Sequence, residues 1–248
     1  MPTRKKDRLA TTAIDQFRTD GYLGPYKLCE PEEMATVRCD VERVLQTPSP
    51  DHDTLAHNRH LDHRCIYDLA AHPAIVSRMA SIYGEDLLLW RTNFFVKEPG
   101  AKAIPWHQDY NYWPLEPPVI ISAWIAIDPS TEANSCLQLI PGSHRNLLPH
   151  VSAGKEMAFQ EMADPTGFDT DDARLIEMQP GEFVLFNERT LHHSAPNTSD
   201  MRRVGLAVRV IVPLVKVLKW DSPSHALMQI SGRDPLGFNR VAQPPPIA

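Results

Sequence analysis

Two short stretches of this chain carry side chains that could share one metal ion. Trp106-His107-Gln108-Asp109 sets an imidazole and a carboxylate two residues apart, and on a strand the alternation of side chains puts both on one face. Farther along, Leu191-His192-His193-Ser194 offers two more imidazoles. Two histidines and one carboxylate on a single ion form the donor set of mononuclear non-haem iron(II) sites, which leaves three coordination positions for a co-substrate and dioxygen. Because His-x-Asp arises by chance in a chain with 11 histidines, the weight rests on the two stretches taken together.

Which of the two distal histidines takes part depends on strand geometry. Pro196-Asn197-Thr198-Ser199 is turn chemistry between β-type runs, so the spacing predicts a hairpin. Centred between Asn197 and Thr198, it would set His192 opposite Arg203 and His193 opposite Arg202, with paired side chains about 5 Å apart on a shared face. Beyond the turn, Val204, Leu206, Val208, Val210 and Val212 form one apolar face, and Arg203, Gly205, Ala207 and Arg209 form the other. A pocket for a metal and a dicarboxylate needs the small, cationic face, which assigns His192 and Arg203 to the site. A bulge in the hairpin would reverse this and bring His193 to the metal. Arg203 has a job to match: 2-oxoglutarate chelates iron through its keto-acid end and leaves its far carboxylate for a planar, permanently charged, bidentate donor.

Further polar groups could complete a pocket. A strand over residues 87–97 would turn Arg91, Asn93, Phe95 and Lys97 to one side, where Asn93 and Lys97 could reach the co-substrate or the substrate, or could be the solvated charges of an edge strand. Trp124 and Gln138, on later strands, are candidates for pocket lining. Tyr110, Tyr112 and Trp113 directly follow the metal motif; they could hold an ammonium group by cation–π contact or pack on one another. Arg59 and His60, with Lys97, could instead clasp an anionic group, and Gln108 between the two proximal ligands is a further substrate contact to consider.

The elements that must position these groups are legible in outline. Helices are expected over residues 10–20, 31–46 and 73–83, the second with Pro31 in its first turn followed by Glu32 and Glu33, the third stopping at Gly84. Residues 47–65 read as a long polar loop. From residue 87 onward, short β-branched and aromatic runs separated by Pro, Gly and Asn predict strands over 87–97, 104–109, 119–127, 136–140, 183–186, 190–194 and 204–212, the pattern of a jelly roll. Residues 150–180 are expected to be an insertion able to act as a lid, and the segment after Asp234, ending Pro244-Pro245-Pro246, a poorly ordered tail. The chain is expected to form a single domain over 1–248: a helical part about 1–85, a jelly-roll core about 86–215 and a tail 216–248.

Composition excludes several classes. With 42% hydrophobic and 23% charged residues, the chain has a globular balance. A formal net charge of -6 speaks against a nucleic-acid partner. No run approaches the ~20 apolar residues of a membrane span, and Met1-Pro2-Thr3-Arg4-Lys5-Lys6 leads into no apolar signal core, so a cytoplasmic protein is expected. Cys29, Cys39, Cys65 and Cys136 form no Cys-x-x-Cys pair and are read as free thiols.

Four stretches in this order resemble the phytanoyl-CoA dioxygenase family of iron(II)/2-oxoglutarate oxygenases, which also contains ectoine-hydroxylase-like enzymes. They are Trp90 to Gly100, Pro105 to Asp109, Pro141-Gly142-Ser143-His144-Arg145, and His192 to Arg209, and the resemblance covers about residues 10–215. The family's distal motif, His-Gly-Ser-Gly-Pro-Asn with an arginine eleven residues after the histidine, falls on His192 and Arg203. His193 and Ala195 stand where glycines are usual, and Ser135 where Asn-Gly is common. The resemblance implies a mainly β double-stranded β-helix (jelly roll, cupin-like) with flanking helices, Ser194 near the co-substrate carboxylate, and iron(II), 2-oxoglutarate and O2 as reactants, with ascorbate as an aid. It implies hydroxylation of an aliphatic C–H bond, with succinate and CO2 as co-products; a small polar metabolite is the expected substrate. The competing readings are a metal-dependent cupin-like enzyme that is not an oxygenase, which would have no use for Arg203, and a non-catalytic jelly-roll binding protein, which would be expected to have lost a ligand. Halogenation would need the coordination position that Asp109 fills.

Overall fold

A computed structural model of the chain describes residues 7–49 and 55–247. Four helices precede the main strands: α1 (Thr11–Asp20), α2 (Pro31–Gln46), α3 (Arg64–Ala70) and α4 (Pro73–Tyr83). Helix α2 begins with a capping box in which the Glu30 side chain accepts from the Glu33 backbone and the Glu33 side chain accepts from the Glu30 backbone, satisfying two amides that a first turn leaves without partners. Helix α3 lies at the end of the stretch expected to be a loop; of that loop, residues 50–54 fall outside the described residues.

Most of the strands form two facing sheets, with two small two-stranded ribbons beside them. The major sheet has seven, in the order Tyr22–Lys27, Glu182–Asn187, Ile120–Ala126, Arg203–Ile211, Leu87–Lys97, Leu227–Ser231 and Val241–Ala242. The minor sheet has four: Ile104–His107, His192–Ser194, Leu137–Leu139 and Arg174–Ile176. All pairings are antiparallel except the last of the major sheet, as a jelly roll requires. Its strands are amphipathic in a particular sense. Val204, Leu206, Val208 and Val210 pack against the helical layer with Met34, Ile75 and Met79, while Trp124, Val184, Phe186 and Ala207 meet Leu137, Leu139 and Ile176 of the minor sheet. The site lies in this second, inter-sheet space.

Three expectations are corrected. The predicted hairpin does not form: His192 pairs with His107 and Leu139 in the minor sheet, whereas Arg203 pairs with Lys97 in the major sheet. The turn at Asn197 is real, with its Oδ1 accepting from Ser199 N at 3.1 Å and its Nδ2 donating to Lys97 O and Met201 O, but it carries the chain from one sheet to the other. Residues 150–180 are only in part an insertion. His150–Ser152 and Glu161–Ala163 make a separate two-stranded ribbon, but Arg174–Ile176 is the edge strand of the minor sheet. The tail is likewise structural, since Leu227–Ser231 extends the major sheet beside Leu87–Lys97 and Val241–Ala242 pairs with it. Tyr22–Lys27, interrupted by Gly24-Pro25 and by a register shift, carries no alternation from which a strand could be read.

Candidate active site

His107 ends its strand and Asp109 opens a single 3-10 turn, Asp109–Tyr112. Gln108 between them stays extended (φ -115°, ψ 127°), so the alternation holds and both side chains point the same way. His192 is the cross-strand partner of His107, and the two imidazole centroids are 4.0 Å apart. Asp109 Oδ1 lies 3.7 Å from His107 Nε2 and 3.9 Å from His192 Nε2. The three donor atoms lie within 4.8 Å of one another, all on buried residues, and this is the one such cluster among the described residues.

Each donor is oriented by a second contact. His107 Nδ1 donates to Pro105 O at 2.8 Å and His192 Nδ1 to Thr190 O at 2.9 Å, each carbonyl two residues upstream. Both rings therefore hold the tautomer whose Nε2 lone pair faces the centre. Arg209 occupies the other oxygen of the carboxylate, with Nε and Nη2 each 3.3 Å from Oδ2, and leaves Oδ1 free to bind. Burial pushes both histidines below their usual range, with His192 adding to the effect on His107. Burial alone would raise Asp109, but Arg209, His192 and His107 outweigh it and hold the carboxyl below its usual range. Two neutral imidazoles and one anionic carboxylate are the protonation states a divalent ion needs. The mixed nitrogen and oxygen set on one side of the centre fits iron(II).

Beside this cluster a partly open cavity, about 400 Å³ with its mouth included, is lined by Phe95, Trp124, Leu137, Ser194, Arg203 and Ala207 with the two histidines. Arg203, 2% exposed, stacks 5.0 Å from the Trp124 ring and donates from Nη1 to Ser135 O at 2.6 Å. Its Nε and the Ser194 hydroxyl have no hydrogen-bond partner among the described residues. Burial pushes Arg203 down to about 10. A sheltered guanidinium with no carboxylate against it is costly, and an anionic ligand entering the cavity would relieve that cost. Lys97 sits across from Arg203 in register; its Nζ donates to Ser135 Oγ, Ser194 O and Ala195 O, so it adds positive potential while its donors brace the neighbouring strand. Burial first and Arg203 second push Lys97 down to about 7.

Gly205 makes room for this stack, because a Cβ there would fall 1.9 Å from Trp124 Cζ2. Gly205→Ala is expected to cost about 1–3 kcal/mol through overpacking and to displace the indole from Arg203. Denaturant unfolding and tryptophan fluorescence check this, and an unchanged midpoint together with an unchanged emission maximum would show that the indole is not confined there.

A second space, an open cleft of about 1060 Å³, meets the cluster at Asp109. It shares Phe95, Phe159 and Arg209 with the first cavity and adds Arg91, Asn93, Asp109, Tyr112, Trp113 and Glu161. Phe159 comes from the link between the strands of the separate ribbon, its ring 5.0 Å from that of His107. Of the residues expected from sequence, His107, Asp109, His192, Ser194, Arg203, Trp124, Asn93 and Tyr112 all face one space or the other.

Other candidates are placed elsewhere. Arg59 is fully buried, giving Nη1 to the carbonyls of Val44, Thr47 and Leu55 and Nε to Asp62. It fastens the loop to α2. His60 Nδ1 meets Thr92 Oγ1 at 2.9 Å, and neither residue lines the cavity or the cleft. The Gln108 amide is used up on Asn146 O, Arg189 O and Leu148 N. Tyr110 donates to Leu148 O and packs on His150, while Gln138 points opposite to the cavity-lining Leu137 by strand alternation. His193 faces away from the cluster, its ring stacked on Trp106 at 4.9 Å. Sequence reasoning assigned no role to Arg209, Arg91, Leu137 or Phe159. The parity of the Arg203 strand already put Arg209 on the right face, as the parity of residues 87–97 put Arg91 beside Asn93, but nothing local reveals Leu137 or Phe159.

The family model for phytanoyl-CoA dioxygenase (PhyH) matches residues 17–205. The dioxygenase lolE1 of Epichloe uncinata is 30% identical over 58% of this chain and 54% of its own length, so the chain spans about half of that relative. A probable alpha-ketoglutarate-dependent hypophosphite dioxygenase of Stutzerimonas stutzeri is 27% identical, over 76% of this chain and 68% of its own. Among solved structures, CytC3 with Fe(II) and alpha-ketoglutarate superposes with a TM-score of 0.76 at 30% identity, covering 95% of this chain and 93% of that one.

Proposed function

The chain belongs to the phytanoyl-CoA dioxygenase family, and from that premise we propose that it is an iron(II)- and 2-oxoglutarate-dependent dioxygenase that hydroxylates an aliphatic C–H bond of a small polar metabolite. One observation carries the reading: a buried His-Asp-His cluster with its donors preoriented stands beside an enclosed arginine that has no carboxylate of its own. An isomerase or hydrolase on the same fold would need the first feature and not the second. His107, Asp109 and His192 would hold the iron, and Arg203, with Ser194 and the charge of Lys97, would hold the far carboxylate of 2-oxoglutarate against Trp124. When bound, iron and 2-oxoglutarate supply the oxidising power, consuming O2 and yielding succinate, CO2 and an oxidised substrate.

The chain's own contribution is placement and shelter. Arg209 keeps Asp109 presenting a single oxygen, Phe159 roofs the cluster beside His107, and the apolar lining of the inner cavity excludes water that would compete with the reactants. With iron bound, Asp109 would take up a ligand position that a halide would otherwise need, so the product is expected to gain a hydroxyl, or to rearrange from a hydroxylated species, and never to gain chlorine. The test is a substrate screen with iron(II) and ascorbate that follows succinate, with mass spectrometry of products formed under oxygen-18 gas in chloride buffer. Succinate matched to an oxygen-18-labelled product is the expected result. A chlorinated product refutes the role of Asp109, and turnover without succinate refutes the reading.

A further inference from the structure

The outer cleft has a wall built by an irregularity. In the pairing of Arg203–Ile211 with Leu87–Lys97, Arg209 faces Arg91 and Val210 faces Leu89, so Trp90 is an extra residue on its strand. Such a bulge re-aims the side chains around it. Trp90 packs with Leu88 and Trp113, and the Arg91 guanidinium lies 4.7 Å from the Trp90 ring and 4.6 Å from the Trp113 ring. A second cation meets the same indole, with Arg209 at 4.8 Å.

These groups are not self-sufficient. Arg91 Nη2 is paired with Asp221, a carboxylate that also accepts from Asn58 Nδ2 at 2.8 Å and approaches His225 Nδ1 at 3.4 Å. Arg91 Nε, Arg209 Nη1 and the Asn93 Oδ1 acceptor are all buried without a hydrogen-bond partner among the described residues, and all three residues line the cleft. Each unsatisfied group costs free energy that a bound molecule recovers. Burial pushes Arg91 down to about 10 despite Asp221, and Arg209 pushes it the same way: two guanidiniums share one ring and repel.

We propose that Arg91 is the substrate anchor of this cleft, taking a small molecule by an oxyanionic headgroup, carboxylate or phosphonate, while Asn93 Oδ1 accepts from a neighbouring hydroxyl or ammonium. An anion beside Arg91 and Arg209 relieves their repulsion and fills their vacant donors. A purely cationic ligand has no comparable place, because the Trp113 ring that would attract it already faces two guanidiniums. Since Asp109 lines the same cleft, a molecule held at Arg91 extends alongside the His-Asp-His cluster. The cleft suits a small metabolite. The inference rests on the oxygenase reading for what then happens to that molecule, though not for the binding itself.

Calorimetric titration tests it, with propionate, methylphosphonate and propylammonium as probes, on the protein alone and on protein holding manganese(II) and 2-oxoglutarate. At least one anion is expected to bind, and Arg91→Met to weaken it by about 10- to 100-fold. Arg91→Lys, which keeps the charge without the planar fork, should lose less, and the affinity for 2-oxoglutarate should be the same in all three proteins. Neither anion binding, equal anion affinity in wild type and Arg91→Met, or preferred binding of propylammonium overturns the anchor. Failure of 2-oxoglutarate to bind the metal-loaded wild type overturns the oxygenase reading instead, and the titrations on the protein alone still decide the anchor.

Discussion

His107→Ala is expected to abolish metal-dependent turnover, with iron(II) affinity falling by more than about 100-fold, since even losing a group that merely orients a ligand costs ~10–100-fold. The fold should survive. His107 packs against Phe159, Tyr112 and His192, all at the site, and none of the hydrophobic clusters depends on it. It is also a cleaner probe than Asp109, whose removal would strand the buried Arg209 without its ion pair and so add an unpaired charge to the effect. Anaerobic iron titration and succinate release, with circular dichroism as the control for folding, make the measurement. Wild-type iron affinity together with wild-type succinate release would mean that the three donors do not hold the working metal.

The second large effect is expected at adjacent arginines that face opposite ways. Arg203→Ala should weaken 2-oxoglutarate by about 10- to 100-fold, because a charge-assisted contact to a carboxylate in a sheltered cavity is among the stronger polar interactions. Arg202→Ala should leave that affinity unchanged. Arg202 pairs with Glu42 of α2 and with the buried Asp128, so its loss should appear as lower stability, about 1–3 kcal/mol for leaving Asp128 short of a partner. Calorimetric titration of 2-oxoglutarate and denaturant unfolding separate the two. Equal losses of affinity in both variants would show that Arg203 is not the residue that meets the co-substrate.

The contrast between these neighbours explains what could be read in advance. Strand parity is a local property: once Arg203, Gly205, Ala207 and Arg209 alternate with Val204, Leu206, Val208 and Val210, one face is apolar and the other is not, whatever the strand pairs with. That reasoning put His107 with Asp109, and Arg203 with Arg209, on common faces. The partner of each strand is a different matter. His192 and Arg203 both reach the inner cavity, yet from opposite sheets, with Lys97 and not His192 beside Arg203. A turn sequence such as Pro196 to Ser199 specifies that the chain bends, and whether the bend closes a hairpin or crosses to a facing sheet is decided by burial over the whole sandwich.

The substrate side shows the same division more sharply. Arg59 and His60 have the chemistry of an anion clasp, but neither lines the cleft; Arg59 is spent on three backbone carbonyls and Asp62 and His60 lies beside Thr92. Arg91 shares the cleft-facing side of its strand with Asn93 and Phe95 by simple alternation, but the bulge at Trp90 that sets an indole against it is announced by no local pattern, and Phe159 arrives from a segment without periodicity. By itself, then, the sequence determined the donor types, their parity on each strand and the β-rich class of the fold, because these depend on residue chemistry and on alternation within a few positions. Only the tertiary structure decided which strands face each other, which arginine stands free of a carboxylate and which side chains wall the cleft. Those depend on contacts between segments as far apart as Asp109 and Arg209, whose energies are settled by the packing of the whole chain.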